Sequence, residues 1–213
     1  MTRLIEKVTA FVTRRSDRGS ELLLFEHPYG GIQIPAGTVE VGEALELAVL
    51  REAREETGLE NLEIRQSLGA REETFGSNEC VIALPATVYA RPDASSFDWA
   101  RLPRGAMVAR LREEKEFVQV SYVEWDKYLA PSFVTMQITG WVQEDLLAYS
   151  ASRHFYVLEC LSSTDARWSV DTDNHRFSCF WSPVDNLPVL IPFQEAWLSI
   201  FINWYNSPIE PAR

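Results

Sequence analysis

Cysteine and histidine are scarce in this chain, with three of each in 213 residues. Cys80, Cys160 and Cys179 are dispersed and odd in number, so they form neither a disulfide framework nor a paired metal-ligand spacing. They read as buried or free thiols of a reducing cytoplasm, which is the expected location. His27, His154 and His175 are equally scattered, which argues against a zinc site. Apolar runs are short. None reaches the roughly 18 residues of a membrane helix. The opening stretch MTRLIEKVTAFVTRRSDRGSE is broken by charges where a secretory leader would carry its apolar centre. Basic residues are outnumbered, 20 against 31 acidic, for a net charge of −11. No basic stripe stands out to grip a nucleic-acid backbone. The expected partners therefore include no nucleic acid and no membrane. A small phosphorylated substrate is expected instead, because bound cations supply the positive charge that an acidic chain lacks.

What the chain does have is apolar content of 46%, with seven Trp and eleven Phe, enough for a substantial core. Its most informative stretch is residues 37–59, GTVEVGEALELAVLREAREETGL. Gly37 is followed after five residues by Glu43, and after seven more by Arg51-Glu52-Ala53-Arg54-Glu55-Glu56-Thr57-Gly58-Leu59. The spacing predicts a helix over 45–57. At about 100° per residue, Glu52, Glu55 and Glu56 share one narrow sector of it. Three carboxylates so close repel unless a cation lies among them, and hard oxygen donors suit Mg²⁺ or Mn²⁺. Ala44 and Ala48 flank the sector and leave it open, while Val49, Leu50 and Ala53 turn toward a sheet. Gly58 is placed for a left-handed C-cap, and Gly37 for a close backbone approach. A solvated Glu/Arg-rich helix is the plain alternative. Gly37, Glu43 and Gly58 in register argue against it.

Strands are predicted over Lys7–Thr13 and Glu21–Glu26, with a short extended piece over Ile32–Pro35 and another strand over Leu62–Leu68. Later strands are predicted over His154–Leu161 and Arg176–Ser182. They lead to a closing helix in which Phe193, Ala196, Trp197, Ile200, Phe201 and Trp204 recur at helical spacing and read as core. Between the two halves lie about 70 β-rich residues, far beyond ordinary loop length. Strands are predicted there over Ala86–Arg91, Ala106–Leu111, Phe117–Trp125 and Val134–Trp141, ending in Gly140-Trp141-Val142.

The 37–59 stretch resembles the Nudix box, the signature of a superfamily that hydrolyses diphosphate linkages with divalent metal. Every fixed polar and glycine position is filled. Ala53 is the one departure, a small residue where the pattern takes an aliphatic one. The element order resembles the Nudix α/β/α sandwich, an α+β fold with a mixed sheet. It is expected over residues 1–77 and 150–213, interrupted by an inserted small β-barrel over 78–149 that resembles a bacterial Src homology 3-like module. Phe97, Trp99, Tyr122, Trp125, Tyr128 and Trp141 could line a peptide groove there. The preferred reading is a cap or a dimerisation surface, with a homodimer as the favoured use.

The resemblance implies a metal-dependent hydrolase of nucleoside diphosphates linked to another group, in which a metal-bound water attacks a diphosphate phosphorus. It implies that Glu52, Glu55 and Glu56 hold Mg²⁺ (or Mn²⁺), with the Gly37 carbonyl adding a ligand, and that Arg51 and Glu43 pair behind them. The general base is open between Glu55 or Glu56 and the later residues Glu72, Glu73 and Asp173. Asp171 and His175 share the expected loop with Asp173, and Arg71 and Arg153 are candidate phosphate contacts. The alternatives are a non-catalytic Nudix-type sensor and a peptide-binding protein led by the inserted barrel.

Overall fold

The computed structural model describes residues 4–127, 130–172 and 175–207. In chain order the strands are β1 (Leu4–Ser16), β2 (Gly19–His27), β3 (Gly31–Gln33), β4 (Ala36–Thr38), then helix α1 (Leu45–Thr57), β5 (Leu62–Thr74), β6 (Glu79–Ile82), β7 (Ala86–Tyr89), β8 (Asp98–Leu102), β9 (Met107–Glu114), β10 (Phe117–Trp125), β11 (Val134–Gln143), β12 (Leu147–Ala148), β13 (Ser150–Cys160), β14 (Arg167–Thr172), β15 (His175–Pro183) and helix α2 (Pro192–Tyr205). The chain divides into two compact units. The first holds the residues up to Lys7, with Thr38–Glu43 and Arg71–Arg153. The second holds Val8–Gly37, Ala44–Ala70 and the chain from His154 onward.

The second unit is built on a sheet of order β14-β15-β2-β1-β13-β5. Its central strand β2 reads Leu22-Leu23-Leu24-Phe25 without a polar interruption, and all four residues are buried, as a strand covered on both faces requires. Alternation sends Leu22 and Leu24 to one side, where they pack with Phe11, Ile34, Phe155, Val157 and, from α2, Trp197 and Phe201. Phe25 takes the other side, where it is the cross-strand partner of Cys179 and stacks on Phe177 at 4.7 Å between ring centroids. On that side the indole N–H of Trp168 donates to the Thr57 carbonyl at 2.7 Å, and the Cys179 thiol to the Glu56 carbonyl at 3.6 Å. The next residue, Phe180, packs into the α2 cluster. The two helices therefore cover opposite faces, giving an α/β/α sandwich.

Helix α1 occupies the predicted span and ends as predicted. Gly58 has φ 70°, and its N–H closes the helix on the Arg54 carbonyl. Ala48, Val49, Ala53 and Thr57 are its buried residues, with Leu50 only half-buried. Ala53 fits because its small side chain is fully enclosed. Helix α2 differs from expectation. Its inward stripe runs through Gln194, Trp197 and Phe201, while Ala196 is exposed, and Phe193 and Trp204 are exposed by 61% and 38%. At about 100° per residue the buried stripe Gln194, Trp197, Phe201 is centred near Phe201 and has Trp197 at one edge, and Phe193 and Trp204 lie just beyond that edge. Gln194 earns its buried place by bridging both backbone groups of Ile34. Its Oε1 accepts the N–H at 2.6 Å, and its Nε2 donates to the carbonyl at 3.2 Å.

Asp171 and His175, expected in a loop, lie on strands. β14 and β15 form a hairpin in which Asp171 faces Arg176 and Thr172 faces His175. β14 escapes a sequence reading because only Trp168 and Val170 are apolar in RWSVDT.

One buried ion cluster fixes the β1–β2 hairpin. Glu21 is fully buried, its cross-strand partner Arg14 donates to it at 2.8 Å, and Arg18 lies at 2.6 Å. Arg14 also stacks over the Trp181 ring at 4.4 Å. Desolvation pushes the Glu21 carboxyl up. The Arg14 hydrogen bond and charge, helped by Ser16 and Arg18, more than offset this and hold it below the ordinary glutamate value. A depressed folded value means stability that is present above the unfolded value of about 4.3 and is lost as pH falls through the folded one. Glu21→Gln leaves two guanidinium groups facing a neutral amide, so it is expected to cost about 3 kcal/mol at pH 7. Its stability should also fall less steeply than the parent's on acidification, as urea unfolding at pH 7 and pH 3 will show.

The first unit holds a sheet of order β12-β6-β9-β10-β11-β7-β8. Among the described residues no pairing joins β8 back to β12, so the segment expected to form a closed barrel is seen as a run of strands. Its core gathers Cys80, Ile82, Val88, Leu102, Val108, Val118, Val120 and Val142. β10 spans the predicted residues, whereas β6, β8 and β12 are strands that the sequence did not reveal. Gly140 is needed where β11 passes β7, because a Cβ there would come within 3 Å of Val88, the Tyr89 carbonyl and the Trp99 indole nitrogen. Trp141 is buried, with Arg112 over its ring at 4.9 Å, while Phe97, Trp99 and Trp125 are exposed. Tyr128 lies outside the described residues. No helix among the described residues is long and apolar enough to cross a membrane.

Candidate active site

The acid face of α1 meets the β3–β4 segment within the second unit. The Ala36 N–H donates to Glu56 Oε2 at 2.9 Å. At the next residue, Gly37, an added Cβ would overlap the Glu52 carboxylate, so only glycine lets that carboxylate lie against the backbone. Arg51 Nη1 donates to Glu52 Oε1 at 2.9 Å and to Glu55 Oε2 at 3.1 Å. The Glu52 side chain is 14% exposed and that of Glu55 is 53% exposed. Two carboxylates thus converge on one cationic group while the third is pinned to a backbone amide, and the Gly37 backbone lies alongside.

This donor set suits a hard divalent cation. It offers three carboxylates from one helix face, a backbone carbonyl nearby, and no sulfur or imidazole. Among the described residues no three acidic, histidine or cysteine side chains converge tightly enough to make a finished shell. The Arg51 guanidinium supplies the positive charge between Glu52 and Glu55. Behind the helix, burial pushes the Cys179 thiol up to about 12, with the Glu56 charge adding to the effect. Burial likewise pushes Cys80 up to about 11. All three cysteines are buried free thiols.

Of the remaining candidates, Glu43, Arg71, Glu72, Glu73 and Arg153 fall in the first unit, Asp171 and His175 in the second, and one outside the described residues. Glu43 closes a turn, its Oε2 accepting the Glu40 N–H at 2.9 Å. Glu72 and Arg71 are exposed on β5. Glu73 is held by Arg153, whose Nε and Nη2 donate to its two oxygens at 2.6 and 3.3 Å. Arg153, read from sequence as a phosphate contact, is thus engaged with a carboxylate. Lys7 joins this pair and was not anticipated. Its ammonium is held below the ordinary lysine value by burial and by the Arg153 charge, against the pull of Glu73. Asp173 lies outside the described residues.

A second feature of the second unit also escaped the sequence. His27, Tyr29, His175 and Phe177 bring four rings together, with His27 and His175 at 5.0 Å between centroids. Tyr29 and His175 are 146 positions apart in the chain, so no local spacing announces the cluster.

Comparison with curated proteins gives no match. Among solved structures the chain is similar to an Ap4A hydrolase of C. elegans, at 12% identity over 95% of this chain and 97% of that one, with TM-score 0.46. A binary complex of a C. elegans Ap4A hydrolase aligns at 12% identity over 95% and 98%, with TM-score 0.47. The NUDIX domain of Shewanella oneidensis NrtR, complexed with ADP ribose, aligns at 13% identity over 97% and 91%, with TM-score 0.45. The NUDIX domain family model matches residues 5–136, well over half of the 213-residue chain. With its box helix packed on the sheet as described, the chain belongs to the NUDIX domain family.

Proposed function

We propose that this protein hydrolyses the phosphoric anhydride of nucleoside diphosphates linked to another group, using Mg²⁺ or Mn²⁺. The observation that carries the reading is the joint placement of Gly37, Arg51, Glu52, Glu55 and Glu56, which presents oxygen donors on one side of α1. Glu52, Glu55 and Glu56 would hold the metal, with the Gly37 carbonyl, and Arg51 and Glu43 would orient the carboxylates. Bound there, such an ion supplies charge neutralisation at the phosphoryl oxygens and makes water acidic enough to be a nucleophile near neutral pH. Among the chain's own groups, Glu55 is the more exposed carboxylate and is suited to accept the proton. Glu56 is committed to the Ala36 N–H and is suited to hold position.

The test is hydrolysis of a panel that includes ADP-ribose and diadenosine tetraphosphate, with Mg²⁺, Mn²⁺ and chelator. Turnover of at least one substrate, lost on chelation, is expected. Binding of these compounds without turnover under either metal would overturn the reading in favour of a non-catalytic sensor.

A further inference from the structure

The ring cluster at the end of β2 and β15 plays no part in the metal chemistry. Tyr29 lies 6.2 Å from His27 and 5.6 Å from His175, edge-on to both. Phe177 lies 5.0 Å from His27 and stacks on Phe25 behind it. Only the outer ring is widely open, with Tyr29 51% exposed against 9% for His27 and 3% for Phe177. The Tyr29 N–H donates to His27 Nδ1 at 3.1 Å. That bond fixes the turn after β2 and leaves the proton of a neutral His27 on Nε2. Among the described residues no third histidine, cysteine or acidic side chain joins the two histidines.

The cluster continues the sheet face that carries α1. Cys179, under the Glu56 carbonyl, is paired with Phe25. Two residues further along each strand, on the same side, come Phe177 and His27, followed by His175. Four residues of β15 separate Cys179 from His175, ~13 Å at about 3.3 Å per residue. The exposed Tyr29 ring, edge-on to two imidazoles of which His27 is itself packed against Phe177, presents a π-face with polar edges. Such surfaces take up bases by stacking.

We propose that Tyr29, with His175 beside it, is the stacking platform for the nucleobase of the substrate. The inference rests on the hydrolase reading for the remainder of the ligand. Its test is calorimetric binding of AMP and of ribose 5-phosphate to the full chain in Mg²⁺. AMP should bind more tightly than ribose 5-phosphate. Tyr29→Ala should weaken AMP about tenfold and leave ribose 5-phosphate unchanged, while Tyr29→Phe, which keeps the ring, should bind AMP as the parent does. An intact protein that holds AMP no more tightly than ribose 5-phosphate overturns the platform, as does a Tyr29→Ala variant that weakens both ligands alike or neither. Base-selective AMP binding by a protein that hydrolyses nothing would count against the hydrolase reading and for the platform. Turnover without any preference for the base would do the reverse.

Discussion

Glu56→Gln is expected to lower diphosphate hydrolysis by at least a hundredfold while the protein stays folded. Outer-shell partners of metal ligands already cost ten- to a hundredfold when removed, and a carboxylate that itself bears on the ion should cost more. The amide keeps an oxygen that can accept the Ala36 N–H now held at 2.9 Å, so the β3–β4 segment should not move. Removing one of three neighbouring negative charges relieves repulsion, so metal-free stability should hold or rise. Steady-state rates at saturating Mg²⁺, beside thermal melts in chelator, measure both halves. A Glu56→Gln protein of full activity would show that this helix face is not the metal site.

Gly37→Ala should separate stability from activity even more sharply. Its backbone lies outside the left-handed region, so alanine meets no torsional penalty there. The new methyl would instead occupy the place of the Glu52 carboxylate. The displaced atoms are the far end of a flexible side chain that can swing away, so unfolding free energy should change by less than about 1 kcal/mol. The carboxylate would leave the Arg51 guanidinium, and activity should fall on the order of a hundredfold with a raised metal requirement. Equal metal titrations for parent and variant would remove Gly37 and Glu52 from the site.

How much was legible beforehand depended on how local the signal was. The limits of α1 follow from the 3.6-residue pattern of its apolar face and from Gly58, and both lie within one short stretch. The carboxylate spacing is local in the same way, so the Glu52–Glu55–Glu56 face could be drawn before any fold existed. β10 was equally plain from FVQVSYVEW. β8 was not, because DWARL follows a loop of small and polar residues and carries little alternation. The place of Phe193 and Gln194 on α2 depends on where Ile34 arrives, 160 positions earlier. The same holds for the Glu73–Arg153 pair and for the Tyr29 cluster. Each joins segments far apart in the chain, and no window of sequence contains both partners.

The Gln194 bridge bears on the order in which the protein is made. The segment Ile34–Gly37 is fastened at one end by an amide from the last helix and at the other by Glu56 from the box helix. On the ribosome the box emerges ahead of β14 and β15, the strands that its helix packs on, and ahead of Gln194. The segment that sets Gly37 against Glu52 gains its second fastening only after residue 194 has left the exit tunnel. A nascent chain stalled before that point would carry every residue of the signature and still lack a fixed site.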